Sequence, residues 1–319
     1  MSQQKQRLFR NRAQPAEPLP AYYQEPEKKR SCCGCWSLLL LTVMLVIVVT
    51  GFLPIIPGRS NLLILGLDRR PGEGDAVRAD VLLVVTADPS KPVAGLMSIP
   101  RDLYLEIPDQ GLNRINTAHV FGELYQPGYG PVRTMHAIEQ NMAIDLDGWI
   151  RLDFDGFEDI VDAAGGITID VPRAIVDYQY PTDDFGTMVL EIPAGKQKMN
   201  GEVALQYVRT RHDSTDVERA ERQQQVIQAL AEKMSRPWSW FRIPWFIAAI
   251  QRSMDKDLSI IHLMRIGSAV LRTGQSGIDR LVLDTNYTTP TTTSSGAWVL
   301  APRWDTLLPA VRTFFGISR

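Results

Sequence analysis

NLLILGLD, residues 61–68, is a short apolar run that ends on a carboxylate. DVLLVVTA (80–87) and VAGLMSI (93–99) follow, the last closed by Pro100. Apolar runs of this length, without strict alternation, read as strands buried on both faces. Between the first two lies a loop with Pro71, Gly72 and Gly74. Downstream, Pro131 opens a helical pattern, VRTMHAIEQNMA. Residues 149–153 read as a strand, 157–164 as a helix stopped by Gly165-Gly166, and 167–171 as a strand. Alternating strands and helices predict a three-layer α-β-α domain with a mixed central sheet. The segment 173–195, with Asp177, Asp183 and Asp184, reads as an irregular acidic excursion. Helices are expected at 200–208, 217–234, 259–271 and 304–315, a strand at 278–284, and a Thr-rich loop at 287–293. The domain is bounded at 58–319, with a core at about 61–235 and a helical C-terminal part at 236–319.

N-terminal to this domain the charge is divided unevenly. Residues 1–35 carry seven cations and three anions, residues 31–58 carry none, and the chain from Arg59 on carries 27 cations and 33 anions. The apolar stretch 36–57 is long enough for one membrane-crossing helix. It is longer than a signal-peptide core, begins far from Met1 and is followed by no clean cleavage site. The Lys28-Lys29-Arg30 cluster puts a disordered, basic tail (1–35) in the cytoplasm and the domain outside. Cys32, Cys33 and Cys35, the only cysteines, sit at the inner membrane edge; acylation, metal binding and simple apolar filling are all open. A near-neutral total argues against nucleic acid as a partner.

Charged residues gather where the buried runs end. Asp68 follows the first and Asp80 opens the second; Arg101-Asp102 follow the third, and Arg114 and Asn116 lie in the next loop. Ligands of open α/β sheets bind beyond strand carboxyl ends. A second cluster, YVRTRHDSTDVERAERQQQ (207–225), places Arg209 and Arg211 at a helix end and Arg219 and Arg222 in the first turns of the next helix, after a Thr215/Glu218 capping box or an Asp216 cap. Cations there oppose the helix dipole. They make either an anion pocket, with forks matched to phosphate, or a solvated helix neutralised by Glu218 and Glu221. Arginines with two spaced aspartates suit a diphosphate bridged by Mg²⁺. His119, His136, His212 and His262 have no metal spacing; His136 reads as a helix-surface residue, and His119 and His212 as neighbours of the arginines.

These residues carry a resemblance. NLLILGLD, Arg78-x-Asp80, SIPRDLYLEIP (98–108), RINTAH (114–119), DFDGFEDIVDAAGGITIDV, YVRTR and Asp216-x-x-Arg219-x-x-Arg222-Gln223-Gln224 resemble the LytR-CpsA-Psr family of envelope phosphotransferases. The resemblance implies an α/β domain with a long apolar pocket that binds a polyprenyl-diphosphate-linked glycan and moves the glycan phosphate onto a peptidoglycan hydroxyl. It implies Mg²⁺ on Asp68 and Asp80, and a catalytic set of Arg101, Asp102, Arg209 and Arg211. Arg78, Arg114, Asn116, Arg219, Arg222 and Gln223 would bind the donor. Asp102 is assigned as base for the acceptor hydroxyl. A non-catalytic sensor of lipid diphosphates and a diphosphatase with water as acceptor are the alternatives. The segment PWSWFRIPWF (237–246) belongs to no motif of that family; Trp238, Trp240, Phe241, Trp245, Phe246 and Arg242 suit either contact with membrane lipid beside the pocket mouth or packing on the core.

Overall fold

A computed structural model describes residues 58–69, 74–88, 93–182, 186–210, 216–273 and 278–316, together with Thr42. The expected tail, the expected membrane span apart from Thr42, and the cysteine cluster therefore lie outside the described residues. Among the described residues no helix is long and apolar enough to cross a membrane.

The elements run β1 (Ser60–Leu67), β2 (Ala79–Asp88), β3 (Val93–Ser98), β4 (Tyr104–Ile107), β5 (Gly111–Arg114), α1 (Thr117–Tyr125), α2 (Gly130–Met142), β6 (Gly148–Leu152), α3 (Phe154–Ala163) and β7 (Ile167–Val171). There follow β8 (Ile175–Pro181), β9 (Thr187–Ile192), β10 (Gly195–Met199), α4 (Gly201–Arg209), α5 (Asp216–Ser235), a 3-10 segment (Pro237–Arg242), α6 (Ile243–Ser253), β11 (Asp255–Asp257), α7 (Ile260–Thr273), β12 (Ile278–Val282), β13 (Thr288–Thr292), β14 (Trp298–Pro302) and α8 (Trp304–Phe314).

The central sheet has the order β11-β6-β1-β2-β3-β12. It is mixed: β1 pairs parallel with β6 and β3 with β12, while β1-β2, β2-β3 and β6-β11 are antiparallel. Because side chains alternate along a strand, β1 feeds two cores. Leu63, Leu65 and Leu67 pack with Ile138 and Met142 of α2 and Leu307 and Val311 of α8. Leu62 and Ile64 pack on the other face with Ile227 of α5 and Ile266 of α7. That double burial explains the uninterrupted apolar run. Local signals set the helix starts: Asp153 accepts from Gly156 N at 3.0 Å, and Asn200 from Val203 N at 3.0 Å.

Two sequence expectations are corrected. The 173–195 excursion is the hairpin β8–β9, because Tyr180, Leu190 and Ile192 point into a further core with Ile167, Met199 and Tyr207. The Thr-rich loop is β13, paired with β14. Within the C-terminal part, β12 falls on the expected strand at 278–284 and β11 is a short further strand; they form the two edges of the central sheet, hydrogen bonding to β3 and β6. Polar edge strands lack the apolar runs that reveal buried ones.

Candidate functional site

One end of the sheet collects the charge. β1 ends at Leu67, opposite Ala79 at the start of β2; the register shifts between Gly66 and Leu67, leaving Asp80 as the extra residue of a bulge. Bulges re-aim side chains at sheet ends. The carboxyl end of β3 lies at this same end, since Ser98 pairs with Leu83. Arg101 Nη1 donates to Asp80 Oδ2 at 2.9 Å. Asp102 lies between two guanidiniums, its Oδ2 3.4 Å from Arg101 Nε and its Oδ1 3.4 Å from Arg114 Nε.

Arg114 closes β5 rather than lying in a loop, and it donates through Nε and Nη2 to the carbonyl of Trp298, at 3.0 and 2.6 Å. Asn116 precedes α1 without capping it. Its backbone bonds Arg101 O and Ala79 N, so it sits beside both strand ends. It is 3% exposed, and its Oδ1 has no hydrogen-bond partner among the described residues.

Arg209 ends α4 and reaches the same end from the other side. Its Nη2 lies 4.0 Å from Asp68 Oδ1 and its Nη1 3.5 Å from the Tyr180 hydroxyl, and its guanidinium stacks 3.9 Å above the Phe154 ring. Arg222 Nη2 donates to Thr210 O at 2.7 Å, and Thr210 Oγ1 donates to the buried Asp177 at 2.7 Å. Arg219 and Arg222 are both buried, and Glu218 accepts from Arg173 at 2.8 Å. The solvated-helix reading of these arginines is thereby excluded. Burial, opposed by Tyr207 and Glu218, lowers the Arg222 pKa from its ordinary value.

Other selected residues fare differently. Arg78 is exposed at the turn before β2. Gln223 is half-buried, whereas its neighbour Gln224 is buried and donates to Ser98 Oγ at 2.8 Å, pinning α5 to β3. Arg211 and His212 lie outside the described residues. His136 is exposed on α2, and His119 is fully buried against Val77 O, at 2.8 Å.

Beside Asp68 opens a polar cavity of about 270 Å³, lined by Arg69, Arg151, Asp153, Asp155, Arg252 and Asp255 among others. Arg69 pairs with Asp153 and Asp75. Burial would raise Asp153, but Arg69 and the Gly156 N–H outweigh it and hold the carboxyl below its ordinary range. No group of three or more His, Cys, Asp or Glu side chains able to hold a metal occurs among the described residues. Asp68 and Asp80, at neighbouring strand ends, offer a sparse pair of hard carboxylate donors, a set that fits Mg²⁺ completed by substrate phosphate rather than an all-protein cage.

A family model described as the LytR_cpsA_psr family matches residues 57–307. The chain belongs to the LytR-CpsA-Psr family. It is 33% identical over 208 residues to the polyisoprenyl-teichoic acid–peptidoglycan teichoic acid transferase TagU of Oceanobacillus iheyensis, covering 65% of this chain and 61% of that protein. It is 34% identical over 182 residues to TagT of Bacillus subtilis, a transferase of the same description, covering 56% and 54%. The match thus spans less than two thirds of either relative. In structure it is similar to B. subtilis TagV, with a TM-score of 0.67 at 23% identity, covering 82% of this chain and 99% of that one. This likeness shows a shared mixed α/β fold.

Against this LytR-CpsA-Psr background, sequence reading missed the groups that hold the arginines: Tyr180, Phe154, Asp177 and the Trp298 carbonyl. Phe154 lay within a quoted motif, but nothing marked its ring as a guanidinium platform. A carbonyl 184 residues from Arg114 leaves no mark in composition or spacing.

Proposed function

We propose that this chain transfers a phosphoglycan from a polyprenyl-diphosphate-linked donor to a hydroxyl of peptidoglycan. It would work outside the bacterial cell, held by a single membrane-spanning anchor at 36–57 with the N-terminus in the cytoplasm. The observation that carries the reading is the convergence of Arg101, Arg114 and Arg209 on one sheet end beside Asp68 and Asp80. The names of the TagU and TagT relatives support transfer of a glycopolymer to peptidoglycan.

In this reading the acceptor oxygen attacks the phosphorus next to the glycan. The bond between that phosphorus and the bridging oxygen breaks, polyprenyl phosphate leaves, and the hydroxyl proton ends on it, directly or through water. Arg101, Arg114 and Arg209 bind the diphosphate oxygens and stabilise charge as the bond breaks. Arg211, Arg219, Arg222, Arg78, Asn116 and Gln223 complete the donor contacts. Asp102, with both oxygens toward guanidiniums, holds Arg101 and Arg114 in register; we assign it that positioning role in place of the base. Asp68 and Asp80 would hold Mg²⁺, which when bound supplies charge neutralisation at the diphosphate.

The test incubates the full chain with a polyprenyl-diphosphate saccharide, Mg²⁺ and peptidoglycan oligomers. Sugar phosphate joined to the oligomer is expected. Free sugar phosphate alone would indicate a diphosphatase, and binding without turnover a sensor.

A further inference from the structure

The Trp-rich segment is used by none of this. Trp238 is 69% exposed, Phe241 64% and Trp245 64%, spaced three and four apart along the 3-10 segment and the start of α6. That spacing puts them on one face. Ser239 and Ala249, at 2% and 1%, are the buried residues of the same stretch. Packing on the core, one of the two readings the sequence allowed, is therefore excluded for these three rings. Three large exposed aromatics in eight residues are more than scattered surface hydrophobics.

Arg242 Cζ stands 5.5 Å from the centre of the Phe241 ring, and Arg236 directly precedes the segment. Lys198, Arg236 and Arg242 stand close enough to Lys233 that, after burial, their charges depress its pKa further. Glu232 pairs with Arg236, which leaves the cluster positive. Amphipathic faces with aromatics on one side and Lys/Arg around them bind the interface of anionic bilayers.

Topology gives the patch its direction. α3 runs back from the arginine end, and just beyond it Arg242 packs on Gly165, where an added Cβ would lie 2.7 Å from its Cζ. α5 likewise runs from Arg222 to Lys233, roughly 16 Å along its axis. The patch therefore lies toward the sheet end where β1 begins, the end from which the chain runs back in sequence through Gly58 to the apolar stretch 36–57. That end of the sheet is opposite the one that carries Arg101 and Arg209.

We propose that Trp238, Phe241 and Trp245, with Lys198, Lys233, Arg236 and Arg242, seat the domain on the surface of an anionic lipid bilayer. Seated this way, the domain turns its arginine end away from the head groups. The inference does not depend on the transferase reading.

The full chain in lipid nanodiscs tests it, with tryptophan emission quenched by lipids brominated near the head group. In phosphatidylglycerol discs, quenching should exceed that in phosphatidylcholine discs. Trp238→Ser/Trp245→Ser should remove most of this excess, and Lys233→Glu/Arg242→Glu should abolish it. Circular dichroism checks that each variant stays folded; the aromatic pair is exposed and the charge pair supplies an independent arm. Equal quenching in both lipids, or an excess unchanged in both variants, would overturn the proposal. So would efficient cross-linking of two copies through Trp245→Cys in phosphatidylglycerol discs, which would make the patch a dimer contact.

Discussion

Arg101 Nη1 donates to Asp80 Oδ2 at 2.9 Å, and Asp80 is the residue that β2 bulges out opposite the end of β1. A cation on the loop after β3 is thus tied to an anion at the start of β2, at the sheet end that also carries Asp68 and Arg209. Without donor, the pair neutralises both charges; a diphosphate would draw Arg101 toward it and free Asp80 for a cation.

Asp80→Asn keeps the shape and removes the charge. The Mg²⁺ concentration for half-maximal transfer is expected to rise by at least about tenfold, the lower end of what even outer-shell changes produce. Activity measured across a Mg²⁺ titration checks this, and an unchanged curve would remove Asp80 from the metal set.

Gln224 links three elements, its Nε2 donating to Ser98 Oγ at 2.8 Å and to the carbonyls of Leu96 and Leu281 at 3.4 and 3.3 Å. Gln224→Met should destabilise the fold by about 1–3 kcal/mol. Gln223→Ala, at a half-buried position, should leave stability within about 0.5 kcal/mol and alter donor binding instead. Urea unfolding of the two variants separates a pin from a ligand contact.

Arg151 is buried and donates to Glu123 at 2.6 Å and to Asp255 at 2.7 Å. Arg151→Met leaves the Glu123 carboxylate buried without its cation, and a loss of about 3–5 kcal/mol is expected. Adding Glu123→Leu should recover part of it, which a double-mutant cycle in urea would read out.

His119 supplies a pH dependence. Burial, opposed by the Val77 carbonyl, lowers its pKa, so the folded state keeps the ring neutral. Below about pH 6.5 the unfolded chain takes up the proton first. Its contribution is therefore intact above that pH and shrinks as pH falls toward the lowered folded value, by at most about 1.4 kcal/mol per unit. His119→Asn can keep a donor to Val77 O while removing the titration. The difference in unfolding midpoint between about pH 7.5 and 5.5 should be smaller in the variant than in the native chain.

The central strands and most helices were legible because burial imposes a period. Leu62 to Leu67 serve two cores, and Asn200 and Asp153 cap their helices as such residues do. The hairpins β8–β9 and β13–β14 were not legible, since their polar outer faces dilute the signal. Of the site, strand-end carboxylates and clustered arginines stood out in sequence. What surrounds them did not: only the fold brings Asp102 to 3.4 Å from the Nε atoms of both Arg101 and Arg114. The buried Asn116 oxygen likewise needed the fold to be seen.

The central claim is that the glycan-side phosphate moves to the wall polymer at the Arg101 end of the sheet. It is tested most directly with a polyprenyl-diphosphate saccharide labelled in that phosphorus, given to the full chain with Mg²⁺ and peptidoglycan oligomers. The label should appear on the oligomer with the sugar, and Arg101→Ala should slow its appearance by about a hundredfold or more. Label retained on the lipid, label released only as free sugar phosphate, or an Arg101→Ala rate equal to the native one would contradict the account.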